Sequence, residues 1–197
     1  IMENIRELSK KYEPQILEFF KDLHMHPELS FKEFRTTQKI KDLLTSLEIE
    51  IIDMGIETGV VGLLKGKYDG PTVALRGDID ALPILEETDV EYKSTIDGVM
   101  HACGHDTHTT ALAGAALILS EIRDELHGKV KFIFQLAEEK NAGAKMLVEA
   151  GVMDDVDVIF GLHNHPDVPA GKMGVKLGGL MAAVDTIWID VYGKGGH

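Results

Sequence analysis

The sequence predicts an α/β layered domain built around a mixed, largely parallel sheet. Short apolar runs bounded by glycine or proline, typical of buried strands, alternate along the chain with longer segments of helical periodicity. The chain has 197 residues, of which 44% are hydrophobic and 27% are charged, ordinary values for a globular protein with a substantial core. Alternation of strands and helices at this length is typical of the α/β class.

Four segments show the helical spacing of apolar residues: 5–23, 33–47, about 17 residues from Asp106, and 143–150. Pro14 lies inside the first segment and is expected to divide it in two. A turn at residues 26–30 separates the first helix from the second. Asp106 or Thr107 is the predicted N-cap of the third helix, and Gly128 lies beyond its end.

Seven apolar runs predict strands: 49–53, 60–65, 72–76, 130–135, 156–162, 172–177 and 185–191. The last of these alternates between apolar and polar residues, as a half-buried strand does, and only residues 192–197 follow it. A strand without a partner is not stable by itself. We therefore expect a second domain that begins in this strand and is cut off there.

Net charge and composition exclude several classes of partner. The chain carries 33 acidic and 20 basic residues, a net charge of −13, which repels nucleic acids and anionic membranes. No apolar run approaches the roughly 20 residues of a membrane-spanning helix, and the start lacks a signal-peptide pattern. The one cysteine excludes an intrachain disulfide and indicates a reducing compartment. We expect a soluble, cytoplasmic protein with no nucleic-acid or membrane partner.

Side chains of the types that bind metals follow the predicted strands or precede a helix. They come from four segments: Asp78 and Asp80, Cys103 and His105, Glu138 and Glu139, and His163 and His165. In α/β sheets, functional sites form beyond the carboxyl ends of strands and near helix N-termini. Thiolate, imidazole and carboxylate groups together suit divalent cations. The sequence therefore predicts a metal site at this edge of the sheet.

Each pair alone also has a structural interpretation, and the metal interpretation rests on their convergence. The alternatives are a core cysteine and histidine at 103 and 105, a solvated acidic turn at 138 and 139, and turn aspartates before Pro83 at 78 and 80. A dinucleotide fingerprint and a phosphate-binding loop are absent from the sequence. No Cys-x-x-Cys pair is present either, which argues against a zinc-finger site.

Three motifs resemble those of the M20 metallopeptidases, and especially the amidohydrolase branch of that family. They are Arg-Gly-Asp-Ile-Asp-Ala-Leu-Pro at 76–83, His-Ala-Cys-Gly-His-Asp-Thr-His at 101–108, and Phe-Gln-Leu-Ala-Glu-Glu at 134–139. Residues 26–29, 161–163 and the closing Gly-Lys-Gly-Gly-His also fit. The resemblance spans nearly the whole chain in order.

The resemblance implies a hydrolase with two divalent metal ions (Zn, Mn, Ni or Co) that cleaves the amide bond of small N-acyl amino acids. The implied metal ligands are Cys103, His105, Glu139 and His163, with Cys103 bridging where sister branches use aspartate. Glu138 is the implied general base, and Asp80 the carboxylate that supports the metal site. His197 corresponds to a histidine of the family's lid domain that contacts the substrate or the developing oxyanion, often across a dimer. The role of Asp78 stays open, since sister branches place a ligand histidine there.

By the same resemblance, residues 1–183 are expected to be part of a three-layer α/β/α catalytic domain. Residues 184–197 would begin an inserted lid domain, through which the full-length protein would form a homodimer. Leu136 and Lys140 replace the proline and glycine usual in their motif, and we expect Lys140 to lower the pKa of Glu138. The last histidine ligand of the family is missing, so we expect little activity from these 197 residues alone.

Two alternative functions also involve bound metal ions but differ in the reaction. A metallo-dipeptidase or aminopeptidase would prefer unblocked peptides over N-acyl amino acids. A non-catalytic metal-binding module would hold ions without turnover.

Overall fold

The computed structural model describes residues 2–196, in which helices and strands alternate. The elements are α1 (Met2–Met25), α2 (Phe34–Ser46), β1 (Glu50–Ile52), β2 (Val60–Lys65), β3 (Tyr68–Asp78), α3 (His105–Glu121), β4 (His127–Gln135), α4 (Gly143–Glu149) and β5 (Val158–Gly161). All of them lie in a compact unit that ends at Asn164; residues 165–196 form a second unit. The predicted helices and the five strands before residue 165 are confirmed to within a few residues at their ends.

The five strands form one mixed sheet in the order β1-β2-β4-β3-β5. β1, β2 and β4 pair antiparallel, whereas β3 pairs parallel with both β4 and β5. In the parallel half, Asp78 at the end of β3 is opposite Gln135 at the end of β4, and Gly161 at the end of β5 is opposite Arg76. The carboxyl ends of three strands therefore reach one edge together.

Helices cover both faces of the sheet, which confirms the α/β fold and gives it three layers. On one face, Phe132 and Phe134 of β4 pack in a buried cluster with residues of α2 and α3. On the other face, Ile133 belongs to a second cluster with Leu147 of α4. Successive residues of a strand point to opposite faces, so β4 contributes to both cores. α1 packs against α3 through Leu8.

α1 continues through Pro14, so the predicted division of this helix is wrong. Proline removes one backbone hydrogen bond, to the carbonyl of Lys10, and both residues are exposed. Water can bind the freed carbonyl, and packing against α3 holds the two halves in line. Although α1 has 24 residues, neither it nor another described helix is apolar enough over a sufficient length to cross a membrane.

α3 begins at His105, one residue before the predicted start, and its N-cap is Gly104 rather than Asp106 or Thr107. Gly104 has a φ of 83°, a conformation that glycine adopts without strain. A Cβ atom there would lie 2.2 Å from the side-chain amide of Asn164. Asp106 instead lies in the first turn, where its carboxylate accepts a hydrogen bond from His24 Nδ1 at 2.6 Å.

Residues 165–196 contain no helix or strand, so the predictions of strands at 172–177 and 185–191 are wrong for the described chain. An alternating sequence forms a strand only where its backbone N–H and C=O groups find a paired neighbour. Neither segment pairs with another described segment. The domain boundary between residues 183 and 184 stays a prediction.

Candidate metal centre

The predicted ligands of the metal site meet at the carboxyl edge of the parallel strands, beside the start of α3. His105 is common to three groups of three potential ligands, and the ligand atoms within each group lie within 4.8 Å of one another. The groups are Cys103, His105 and His163; His105, Glu138 and Glu139; and Asp78, His105 and His108. Four distant segments therefore converge as the sequence predicts.

His105 is fully buried and oriented by a carboxylate. Its Nδ1 lies 3.1 Å from Asp80 Oδ1, so this nitrogen donates a hydrogen bond and Nε2 keeps a free lone pair in the neutral ring. Nε2 faces Glu138 and Glu139, with an oxygen of each at 3.7 Å, and it has no hydrogen-bond partner among residues 2–196. A carboxylate that accepts a hydrogen bond from the second ring nitrogen commonly orients a metal-binding histidine.

Cys103 and His163 face each other at the rim of the site. The Sγ of Cys103 lies 3.6 Å from Nε2 of His163. The other ring nitrogen of His163 donates a hydrogen bond to the backbone carbonyl of Asn164 at 2.6 Å. Because Nδ1 carries the proton, Nε2 of the neutral ring is free to bind a cation beside the thiol.

Asp80 links the ligands on α3 to the turn after β4. Its Oδ2 accepts hydrogen bonds from Ser30 Oγ at 2.6 Å and from the backbone N–H of Glu139 at 3.0 Å. Burial disfavours the charged form, but the hydrogen bonds from His105 and Ser30 outweigh it and lower the pKa of Asp80. Asp78 ends β3, Asp80 lies outside any turn, and each is 1% exposed, so the alternative of turn aspartates before Pro83 is wrong.

The acidic pair Glu138 and Glu139 lies in a short 3-10 turn after β4. Ala137, just before it, has a φ of 45°, and its N–H donates to Oε1 of Glu33 at 2.8 Å. The other oxygen of this carboxylate accepts a hydrogen bond from Thr58 Oγ1 at 2.8 Å. The sequence gives no signal for Glu33, because an acidic residue at the start of a helix is usually exposed, whereas this one is fully buried.

Glu138 is the predicted general base, and its surroundings favour the protonated form of its carboxyl group. Burial raises the pKa of Glu138, and the charges of Asp78 and Glu139 act in the same direction against His105. The expectation that Lys140 lowers this pKa is wrong, since Lys140 is exposed and the pKa shift is upward. A carboxylate whose pKa moves toward neutrality is better matched to proton transfer.

The donor set fits a divalent cation. Burial, followed by the charge of Glu139, raises the pKa of the Cys103 thiol to about 12. In the described part of the chain, Glu139 Oε1 and His105 Nε2 are buried without hydrogen-bond partners. A cation would balance the carboxylates, accept both free atoms as ligands and stabilise the thiolate. Sulfur, imidazole and carboxylate ligands suit zinc, nickel, cobalt or manganese.

The histidines at 101, 165 and 197 are not part of these ligand groups. His101 is buried and belongs to none of the ligand groups found among residues 2–196. His165 begins the second unit of the chain. His197, the predicted substrate-contacting residue, lies outside the described residues.

The fold and the site together define an α/β protein with a candidate metal centre at the carboxyl edge of its sheet. The model of peptidase family M20/M25/M40 matches residues 74–194. The chain therefore belongs to this family.

Two bacterial proteins are similar in sequence to nearly the whole chain. The chain is 52% identical over 189 residues to an N-acetylcysteine deacetylase of Bacillus subtilis, covering 95% of the chain and 50% of that protein. It is 44% identical over 196 residues to an N-acyl-L-amino acid amidohydrolase of Geobacillus stearothermophilus, covering 99% of the chain and 53% of that protein. The chain thus spans about half the length of the curated relatives it matches.

A solved structure has the same fold over most of the chain. It is a dinuclear metal-binding peptidase of the M20 family from Bacillus subtilis, with a TM-score of 0.82 and 51% sequence identity. The match covers 85% of this chain and 47% of that one.

Proposed function

We propose that the whole protein hydrolyses the amide bond of small N-acyl amino acids with the help of two divalent metal ions. The observation that carries the proposal is the convergence of thiol, imidazole and carboxylate groups on the free Nε2 of His105. The relatives named N-acetylcysteine deacetylase and N-acyl-L-amino acid amidohydrolase support the substrate class. The dinuclear site of the solved relative supports the number of ions.

The ligands in this proposal are Cys103, His105, Glu139 and His163. Two divalent ions held here would lower the pKa of a water molecule and polarise the carbonyl group of the amide. Zinc, manganese, nickel and cobalt all suit the ligand types, so the proposal covers these four ions. Asp80 orients both His105 and Glu139, because its carboxylate accepts hydrogen bonds from Nδ1 of His105 and from the backbone N–H of Glu139.

Glu138 moves the protons in this mechanism. It accepts a proton from the attacking water as the oxygen adds to the carbonyl carbon. It then donates this proton to the amide nitrogen as the carbon–nitrogen bond breaks, which releases a carboxylate and a free amino acid. Glu138 is partly exposed, unlike His105, so both water and substrate can reach its carboxylate.

The remaining elements of the proposal concern the whole protein. His197 would contact the substrate, and residues 184–197 would begin the lid domain that pairs two copies as a homodimer.

Turnover and metal content of the full-length protein test the proposal together. Elemental analysis measures the bound ions, and a panel of N-acetyl, N-benzoyl and indole-acetyl amino acids is compared with unblocked dipeptides. We expect two bound ions and a preference for N-acyl amino acids. Preference for unblocked dipeptides would favour the peptidase alternative, and two ions with no turnover of either class would favour the binding module.

A further inference from the structure

Asp78 and His108 form a buried pair that the proposed ligand set leaves unexplained. They are 1% and 2% exposed, at the end of β3 and in the first turns of α3. His108 Nδ1 lies 2.6 Å from Asp78 Oδ1 and donates a hydrogen bond to it. Burial of an ionisable pair is costly unless each member is held by further polar contacts.

Asp78 is held on the side away from His108. Arg76 Nη1 lies 2.9 Å from Asp78 Oδ2, and Arg76 Nε donates to Gln135 Oε1 at 2.8 Å. The hydroxyl of Thr109 donates to the backbone carbonyl of Asp78 at 2.7 Å. The ion pair with Arg76 therefore ties the carboxylate of Asp78 to the ends of β3 and β4.

His108 extends this anchor to the segment that follows β5. Its Nε2 lies 3.0 Å from the backbone nitrogen of Asn164 and also contacts Asn164 Oδ1. An unprotonated Nε2 accepts from the backbone N–H, and a protonated one donates to Oδ1, so the ring binds Asn164 in either state. The carbonyl of Asn164 in turn accepts the hydrogen bond from Nδ1 of His163.

Apart from the pairing of β5 with β3, few contacts hold the segment with His163 in place. β5 has four residues, all exposed, and His163 and Asn164 are exposed as well. Apolar burial therefore contributes little to the position of this segment. Besides its hydrogen bonds, His163 packs edge-on against the His108 ring, with the ring centroids 4.5 Å apart.

His108 is a poor candidate for a metal ligand itself, although it belongs to one of the ligand groups. Asp78 engages one ring nitrogen and Asn164 engages the other, so neither has a lone pair directed at a cation. Its contacts with Asn164 and with the His163 ring indicate instead that His108 positions His163.

We propose that Asp78 and His108 are positioning residues that hold His163, through Asn164, in the orientation in which its Nε2 faces Cys103. This inference rests on the proposed function, because it takes His163 as a metal ligand. It assigns a role to Asp78, which the sequence leaves open. The pair should set the affinity of the ion that His163 binds and leave the other ion largely unaffected.

Two substitutions of His108 separate its two hydrogen bonds in the full-length protein. His108→Asn places an amide near the Nδ1 position, where it still donates to Asp78 but does not reach Asn164. His108→Gln places an amide near the Nε2 position, where it can bond to Asn164. Loss of a residue that orients a metal ligand through hydrogen bonds typically weakens metal binding about 10–100-fold. We expect that loss for one of the two ions in His108→Asn, and substantial recovery in His108→Gln.

Chelator competition measures the affinity of each ion, and the melting temperature of the metal-free protein shows whether each variant folds normally. Two ions bound by His108→Asn with wild-type affinity would overturn this inference and leave the proposed function intact. Equal losses in both variants would also overturn it, since they indicate packing rather than the bond to Asn164. A wild-type protein that binds no metal would overturn both proposals.

A measurement on the metal-free wild-type protein does not depend on any variant. Backbone amide hydrogen exchange reports whether the N–H of Asn164 is hydrogen-bonded. We expect slow exchange at Asn164 in spite of its exposure. Exchange as fast as in an unstructured peptide would overturn the proposed hydrogen bond between Asn164 and His108.

Discussion

Cys103 illustrates how the role of one side chain depends on its neighbours. Burial and the charge of Glu139 raise the pKa of the thiol to about 12, so it keeps its proton in the metal-free chain. A cation in the site would stabilise the thiolate, because the positive charge compensates both the thiolate and the carboxylate. A bound cation would therefore turn this otherwise unreactive cysteine into a strong ligand.

Cys103→Ala should therefore lower the metal content of the full-length protein. It removes the thiolate that faces His163 and lies in one ligand group with His105. Cys103→Asp is the matched control, since a carboxylate can also bind zinc or manganese. We expect elemental analysis to show less metal in Cys103→Ala than in Cys103→Asp. Wild-type metal content in Cys103→Ala would remove this residue from the proposed ligands.

Glu138→Gln should keep the metal and lose turnover. The amide cannot accept the proton of the attacking water, and general-base catalysis typically contributes about 10²–10⁴-fold to the rate. We expect kcat for an N-acyl amino acid to fall by that order while elemental analysis shows unchanged metal. Glu149→Gln, the same change at an exposed residue of α4, serves as the control. A kcat near the wild-type value in Glu138→Gln would place the general base elsewhere.

The turn after β4 depends on two carboxylates that come from distant segments. Glu33, at the start of α2, holds the N–H of Ala137, and Asp80, just after β3, holds the N–H of Glu139. These two bonds lie on either side of Glu138, so they fix the backbone that carries the proposed base. The left-handed backbone of Ala137 needs such support, since alanine seldom adopts it.

Glu33→Ala should destabilise the protein and reduce kcat. It leaves the N–H of Ala137 and the hydroxyl of Thr58 buried without their acceptor, which costs roughly 1–3 kcal/mol for each unsatisfied group. Urea denaturation measures the loss of stability. Thr58→Val is the control, because it removes the hydroxyl and spares the bond to Ala137. Equal kcat values for Glu33→Ala and Thr58→Val would contradict a role of Glu33 in holding the turn.

His24 connects α1 to the start of α3 and to the loop that follows β3. Its ring nitrogens lie 2.6 Å from Asp106 Oδ2 and 3.0 Å from Glu86 Oε1. The hydrogen bond to Asp106, followed by that to Glu86, raises the pKa of His24 to about 9 in spite of burial. The charged ring therefore bridges two carboxylates in the folded chain.

Stability should fall in alkaline solution as this bridge loses its proton. The folded pKa lies above the unfolded value of about 6.5, so the contribution of His24 is complete below that pH. It is lost as the pH rises through about 9. We expect His24→Gln to show a smaller decline in melting temperature than the wild-type protein between neutral pH and pH 9. Parallel declines in both proteins would contradict the charged bridge.

Across the whole molecule, the candidate metal centre joins segments that lie far apart in the chain. Its ligand groups draw on the end of β3, the start of α3 with the loop before it, the turn after β4 and the segment after β5. The chain also has a net charge of −13. Ions bound here would connect these segments and reduce repulsion among the carboxylates, and binding to the folded state alone stabilises it.

Removal of metal should therefore lower the melting temperature of the full-length protein, and zinc or manganese should restore it. A free ion concentration about 100 times its Kd stabilises the folded state by about 2.7 kcal/mol. Calorimetry of chelator-treated protein with and without added ion measures the shift. Potassium chloride at equal ionic strength controls for screening of the acidic surface. An equal shift with potassium chloride would contradict a specific site.

Much of the fold was predictable because strands and helices have local periods. The pattern predicted residues 60–65 as a strand, which β2 matches, and a helix of about 17 residues that α3 matches within one residue. The meeting of the candidate ligands at one edge of the sheet was predictable for a related reason. Its candidate ligands follow strand ends or precede a helix, and the geometry of a parallel sheet brings such positions together.

By itself, the sequence determined the order of the elements, the α/β class and the types of ligand, because each of these depends on residues close together in the chain. Only the tertiary structure decided that Glu33 holds the N–H of Ala137 and that His108 connects Asp78 to Asn164. Such contacts join residues that are distant in the chain, so no local pattern records them. The segments 172–177 and 185–191 show the converse, because the alternation that predicts a strand supplies no partner strand for its backbone.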